Sequence, residues 1–331
     1  MTSPSTALVQ ESEDAPAPFG TSAMFLIAIC LGVLAGLLSP SAGEAFSRGI
    51  DITLLVMIFL LFFELRLGAI FGAFRNLKFL SIAWGANFLI VPIIGFAVAS
   101  LFFSGQMLLF AGLMIYFLAP CTDWFLGFTR LAKGNTELGA ALIPINIISQ
   151  LLLFPFWLAL LAHATDLLEF SALPGMLIQW FILPLVAAQL VRFAAGRLLP
   201  RNWHAALTLS LGRCVPFVLA ALIFQIFASQ IETISSHLVT VGLVVMAVCL
   251  FFAATVAAGE ILSRLARLGA PEQVLLSMTM AARNAPLMLA LTAVAIPDQP
   301  LLLVVIVSGM LVEIPLLILL NQFQLRRSSE R

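Results

Sequence analysis

Ten apolar runs of about twenty residues each dominate the chain, at roughly 22–39, 50–72, 78–102, 106–131, 137–162, 172–195, 205–228, 237–262, 272–296 and 299–322. As a helix, a run of that length spans the hydrocarbon core of a bilayer. The 331 residues are 62% hydrophobic and only 10% charged, whereas an ordinary soluble domain is about one-quarter charged. The pattern predicts an all-α polytopic membrane protein whose standing partner is the lipid bilayer. No basic stripe suits nucleic acid, and no motif asks for a cofactor. Cys30, Cys121, Cys214 and Cys249 all fall in apolar runs, without the spacing of a metal knuckle or a disulfide framework. The zinc-protease and nucleophile-elbow motifs are absent, which argues against an enzyme.

The positive charges order the runs. All of the sixteen Lys and Arg except Arg48 and Arg283 lie at the loops after even-numbered runs or in the C-terminal tail. The odd loops carry Glu44, Asp166, Glu169, Glu232 and Asp298 instead. Lys/Arg-rich loops stay in the cytoplasm. Ten spans in the inner membrane with both termini cytoplasmic satisfy that rule. Residues 1–21 are rich in Ser, Pro and acid and predict a disordered cytoplasmic N-terminus. Their negative charge does not suit a signal peptide. Residues 323–331 form a short cytoplasmic tail.

One run is interrupted. Residues 112–134 are apolar except for a centre that reads Ala119-Pro120-Cys121-Thr122-Asp123. Proline removes a backbone donor and crowds the preceding turn, and the freed carbonyls need partners inside a bilayer. A carboxylate at that depth is costly and marks a site. The break has a counterpart 166 residues later, Ala285-Pro286 in the ninth run, just after Arg283 and Asn284. Asn146 in the fifth run and Glu313 in the tenth each lie two residues from a proline, at nearly the same spacing. The pairing predicts two inverted five-helix repeats, residues 22–162 and 172–322, with discontinuous fourth and ninth helices. Such paired breaks point to a transport site near the midplane.

Arg283 in mid-span needs a counter-charge, and Asp123 and Glu313 are the candidates. Asn146 and Gln150 share a helix face and read equally as site residues or interhelical glue. Gln189, Gln225 and Asn87, each alone, read as glue. Gly32 and Gly36 read as a close-packing motif, and Glu260 as the partner of Arg264 one turn on.

The segments Ala119–Thr122, Leu131–Asn135, Ala282–Asn284 and Leu311–Pro315 resemble the arsenical-resistance permeases, which belong with the bile acid:sodium symporters. The resemblance implies a panel domain and a core domain in which helices four and nine cross, and proton-driven efflux of arsenite. It matches Cys121 to the family's span-four cysteine, a soft ligand suited to trivalent arsenic. In the leading reading Cys121, Thr122, Asn146, Gln150, Arg283 and Asn284 contact substrate, Asp123 and Glu313 are the candidate proton-coupling groups, and Pro120 and Pro286 break the helices. Two features depart from the permeases. The acid that usually follows the span-nine asparagine is absent, and Asp123 stands where a small residue is usual. The ligand pattern of the sodium-coupled branch is absent too, which implies a driving ion other than sodium. A second reading remains open: uptake of a small organic anion clamped by Arg283.

Overall fold

The computed structural model describes residues 18–64, 76–122, 124–165, 178, 182–229, 231, 235, 238–296 and 299–329. Among them are thirteen α-helices: α1 (Pro18–Leu38), α2 (Pro40–Glu64), α3 (Leu77–Gly85), α4 (Val91–Phe103), α5 (Met107–Leu118), α6 (Trp124–Leu131), α7 (Thr136–Thr165), α8 (Leu183–Leu198), α9 (Arg201–Ser229), α10 (Leu238–Leu265), α11 (Ala270–Ala281), α12 (Ala285–Ala295) and α13 (Pro300–Ser329). Six stretches are long and apolar enough to cross a bilayer: Ala45–Phe63, Leu77–Phe103, Thr136–Phe154, Asn202–Ser229, Leu238–Leu265 and Pro300–Arg326. The described residues contain no β-strand, only one isolated antiparallel bridge.

Local sequence sets many of the boundaries. Prolines open α1, α2 and α13 and lie in the first turns of α4, α11 and α12, where their missing N–H costs nothing. Asn76, Asn135 and Asn284 cap the following helices by accepting from Phe79 N, Leu138 N and Leu287 N. The second apolar run was expected to begin its helix near residue 50; α2 begins ten residues earlier, because Pro40 starts a polar turn that continues without a break into the apolar run. α3 passes into α4 through a π-helical turn, Ala86–Ile90. Pro92 explains it: its ring crowds the carbonyl one turn back, and widening the helix there relieves the clash.

Helices α1, α2, α8 and α9 pack chiefly on one another. Gly32 and Gly36 make the closest approach. A Cβ would stand 2.6 Å from Phe224 O at the first and 2.5 Å from Ala228 O at the second, so α1 lies directly on the α9 backbone. The remaining helices surround α5, α11 and α13, whose stretches Leu109–Leu118, Gln273–Ala281 and Leu302–Met310 are buried throughout. By contrast, α1 exposes Leu26, Ile27, Leu31 and Leu34, and α8 exposes Leu190, Val191 and Phe193. Such apolar faces suit a lipid solvent. The readings of Gln189 as glue and of Glu260 as the partner of Arg264 both hold in the geometry. Gln189 donates to Phe62 O of α2 at 2.7 Å, and Glu260 pairs with Arg264 at 2.9 Å.

Candidate functional site

Two interrupted helices meet at the centre of the buried group. Helix α5 stops at Leu118 and α6 starts at Trp124; α11 stops at Ala281 and α12 starts at Ala285. The chain between is extended, with Ala119 at φ −100, ψ 110 and Ala282 at φ −79, ψ 138. The two breaks run antiparallel and pair as a miniature sheet: Cys121 N donates to Ala282 O at 3.1 Å, and Asn284 N donates to Ala119 O at 2.9 Å. Each break thereby satisfies backbone groups the other has freed, which is what permits irregular chain at membrane depth. Pro120 has no N–H to offer, yet costs no bond here because the paired atoms belong to its neighbours. It faces Arg283, not Pro286; Pro286 opens α12 instead.

Side chains fasten the crossing. Asn284 Nδ2 donates to Thr122 Oγ1 at 3.1 Å while its Oδ1 caps α12. Glu313, 4% exposed on α13, holds the second break from above: its Oε1 accepts from Arg283 N at 2.8 Å and its Oε2 from the Tyr116 hydroxyl at 2.8 Å. The ion pair expected between Glu313 and the Arg283 guanidinium is therefore not what forms; the carboxylate takes the backbone N–H. The guanidinium points to helix ends instead. Nη1 donates to Phe117 O at 3.1 Å, and Nη2 to Thr279 O at 2.8 Å and Met280 O at 2.9 Å. Among the described residues no carboxylate lies within ion-pair distance of it. Asp123, the other expected partner, lies outside the described residues.

Most of the predicted site residues converge here. Pro120, Cys121, Thr122, Arg283, Asn284 and Glu313 form one buried cluster. Asn146 joins through Thr279, one turn before Arg283, donating to its Oγ1 at 3.5 Å. Gln150 reaches an apolar cavity of about 20 Å³ beside Leu118 and Ala119, a volume for roughly one water. Three participants were missed. Tyr116 is the one tyrosine of the chain, and a hydroxyl in a buried run was the signal. Thr279 draws notice in the sequence only as the position where the sodium-coupled branch carries its span-nine carboxylate. Asn87, read as glue, donates to Thr279 Oγ1 at 3.0 Å and lies in the π turn, a feature frequent at functional sites.

The Tyr116–Glu313 contact depends on Gly309. A Cβ there would stand 2.8 Å from Tyr116 Cε1 and 2.9 Å from Cζ. Gly309→Ala is expected to push the ring off the carboxylate and to destabilise the protein by about 1–3 kcal/mol. Thermal unfolding checks it, and combination with Tyr116→Phe should be less than additive because both remove one contact.

Residues 51–237 match the family model described as the Sodium Bile acid symporter family. The chain belongs to this family. Over 299 residues, 86% of this chain and 80% of the relative, it is 24% identical to the arsenical-resistance protein Acr3 of Corynebacterium glutamicum. Membership in the symporter family, with the apolar helices of the fold, makes the chain a multi-pass membrane transporter and not an enzyme. The family match covers the first break but ends before the second; Arg283, Asn284 and Glu313 lie beyond it.

Proposed function

We propose that this transporter exports arsenite, or a related metalloid oxyacid, across the inner membrane in exchange for protons. The observation that carries the reading is the position of Cys121. It is a buried thiol, 1% exposed, held inside the pairing of the two broken helices, in a chain similar to an arsenical-resistance protein. Trivalent arsenic prefers soft thiolate ligands. One thiol, with neutral amides from Asn146 and Gln150 nearby, binds such a substrate weakly enough to let it go. Thr122, Asn284 and Pro286 position the break and the start of α12, whose positive dipole end favours an oxygen-rich substrate.

On this reading the chain crosses the membrane ten times as two inverted five-helix repeats with both termini cytoplasmic. The charge distribution supports that topology, and the helices around α5, α11 and α13 form the core that moves against the α1, α2, α8 and α9 panel. Glu313 is a proton carrier with a defined consequence. Both its oxygens accept hydrogen bonds, so a proton arriving there turns one of them into a donor, replaces charge-assisted bonds by weaker neutral ones and loosens α13 from the crossing. Asp123 is the other candidate carboxylate.

The alternative, uptake of an organic anion clamped by Arg283, finds less support. Nη2 belongs to both bidentate edges of the guanidinium, and it donates to two carbonyls. A carboxylate would have to displace one of these carbonyls or take the Nε–H, the one guanidinium nitrogen without a partner. The test is arsenite accumulation in cells lacking their own exporter. Expression of this chain should lower it, and unchanged accumulation at normal expression would refute the proposal.

A further inference from the structure

Arg283 is 1% exposed, yet its guanidinium spends its hydrogen bonds on the backbone of two different helix ends. Phe117 is the penultimate residue of α5, and Thr279 and Met280 belong to the last turn of α11. A helix C-terminus carries about half a negative elementary charge on its unpaired carbonyls. Two such ends brought together in an apolar interior repel each other, and water is not there to screen them. Something positive has to stand between them. In broken-helix transporters the carbonyls of half-helix C-terminal ends are ligands for small cations, and here three of them accept from one guanidinium. The aromatic wall beside it suits a cation as well: the Phe251 ring lies 5.8 Å from the guanidinium carbon and stacks on Phe117 at 3.8 Å.

We propose that the Arg283 guanidinium is a tethered cation. It fills a monovalent-cation site made by the C-terminal ends of α5 and α11, so the crossing is held together without any alkali ion. Arg283 is thus the residue that frees this transporter from a bound inorganic co-ion. Removing the side chain leaves the carbonyls in place and turns the position into a vacancy that accepts a small cation from solution.

The prediction can be read without knowing the substrate. Purified wild type should show the same thermal unfolding midpoint in sodium, potassium and choline chloride. Arg283→Ala should melt lower in choline and recover in a saturable manner with millimolar methylguanidinium or sodium. Any transport it shows should fall by about tenfold or more in choline and return with the same cations. Arg283→Lys, which keeps a charge, should need no added cation. Arg283→Gln serves where the alanine variant does not fold, with the same cation series. A saturable sodium response of the wild type overturns the proposal whatever the variants do. So does an Arg283 variant that is folded but indifferent to every cation. Failure of arsenite export with these cation responses intact would refute the substrate and leave the tethered cation standing.

Discussion

Glu313→Ala is expected to abolish transport and to destabilise the protein by about 3–5 kcal/mol, the range for stripping the partner from a buried charged group. The carboxylate is the one group that ties the second break to both α13 and α5. Without it, Arg283 N–H and the Tyr116 hydroxyl lose their acceptors in a water-free place, each at a cost of about 1–3 kcal/mol. The nearby guanidinium also loses the negative charge on that side. The extended segment at Ala282–Asn284 would then keep its pairing with Ala119 and Cys121, the Asn284–Thr122 bond and the Arg283 guanidinium bonds, but lose its tie to α13. Glu313→Gln separates structure from coupling. It retains one acceptor oxygen and should be milder in thermal unfolding, but it cannot take up a proton. If the glutamine variant exports with an unchanged dependence on the proton gradient, Glu313 is a fastener and not the coupling group.

The second large effect has the opposite signature. Cys121→Ser should reduce arsenite export to background while leaving the unfolding midpoint within a few degrees of wild type. The thiol packs at the crossing, but the bond that fixes this position is made by its backbone N–H to Ala282 O, which serine retains. A hydroxyl is nearly the same size and is a poor ligand for a soft metalloid. Cys30 and Cys214 are exposed and Cys249 is half-buried, and none belongs to the crossing. Replacing those three should leave export intact, so a loss specific to Cys121 reports chemistry and not a general need for thiols.

Much of this site was legible in the chain because the costs were visible there. A proline, an arginine and a carboxylate at membrane depth each need a compensating partner, and the positions that carry them do meet. What was not legible was who compensates whom. Pairing charges by sign offered Asp123 and Glu313 as mates for the Arg283 guanidinium. The fold satisfies the guanidinium with carbonyls from Phe117, Thr279 and Met280, because helix ends carry charge that no residue letter records. Matching proline to proline made Pro120 and Pro286 counterparts in the repeat but did not say what each would face; the backbone bonds of the extended segments set Pro120 opposite Arg283. The early start of α2 was hidden because a run of apolar residues marks where a helix enters lipid, not where it begins. Asn87 looked like an isolated amide because nothing in a regular helical period predicts a π turn; Pro92 five residues on was the available clue.

Everted membrane vesicles that carry the protein, in sodium-free medium with an imposed proton gradient, test the central claim most directly. Arsenite should accumulate inside wild-type vesicles, should not accumulate when Cys121 is serine, and should be unaffected by an excess of small organic carboxylates. Equal accumulation by wild type and Cys121→Ser, or competition by the carboxylates, would contradict the account.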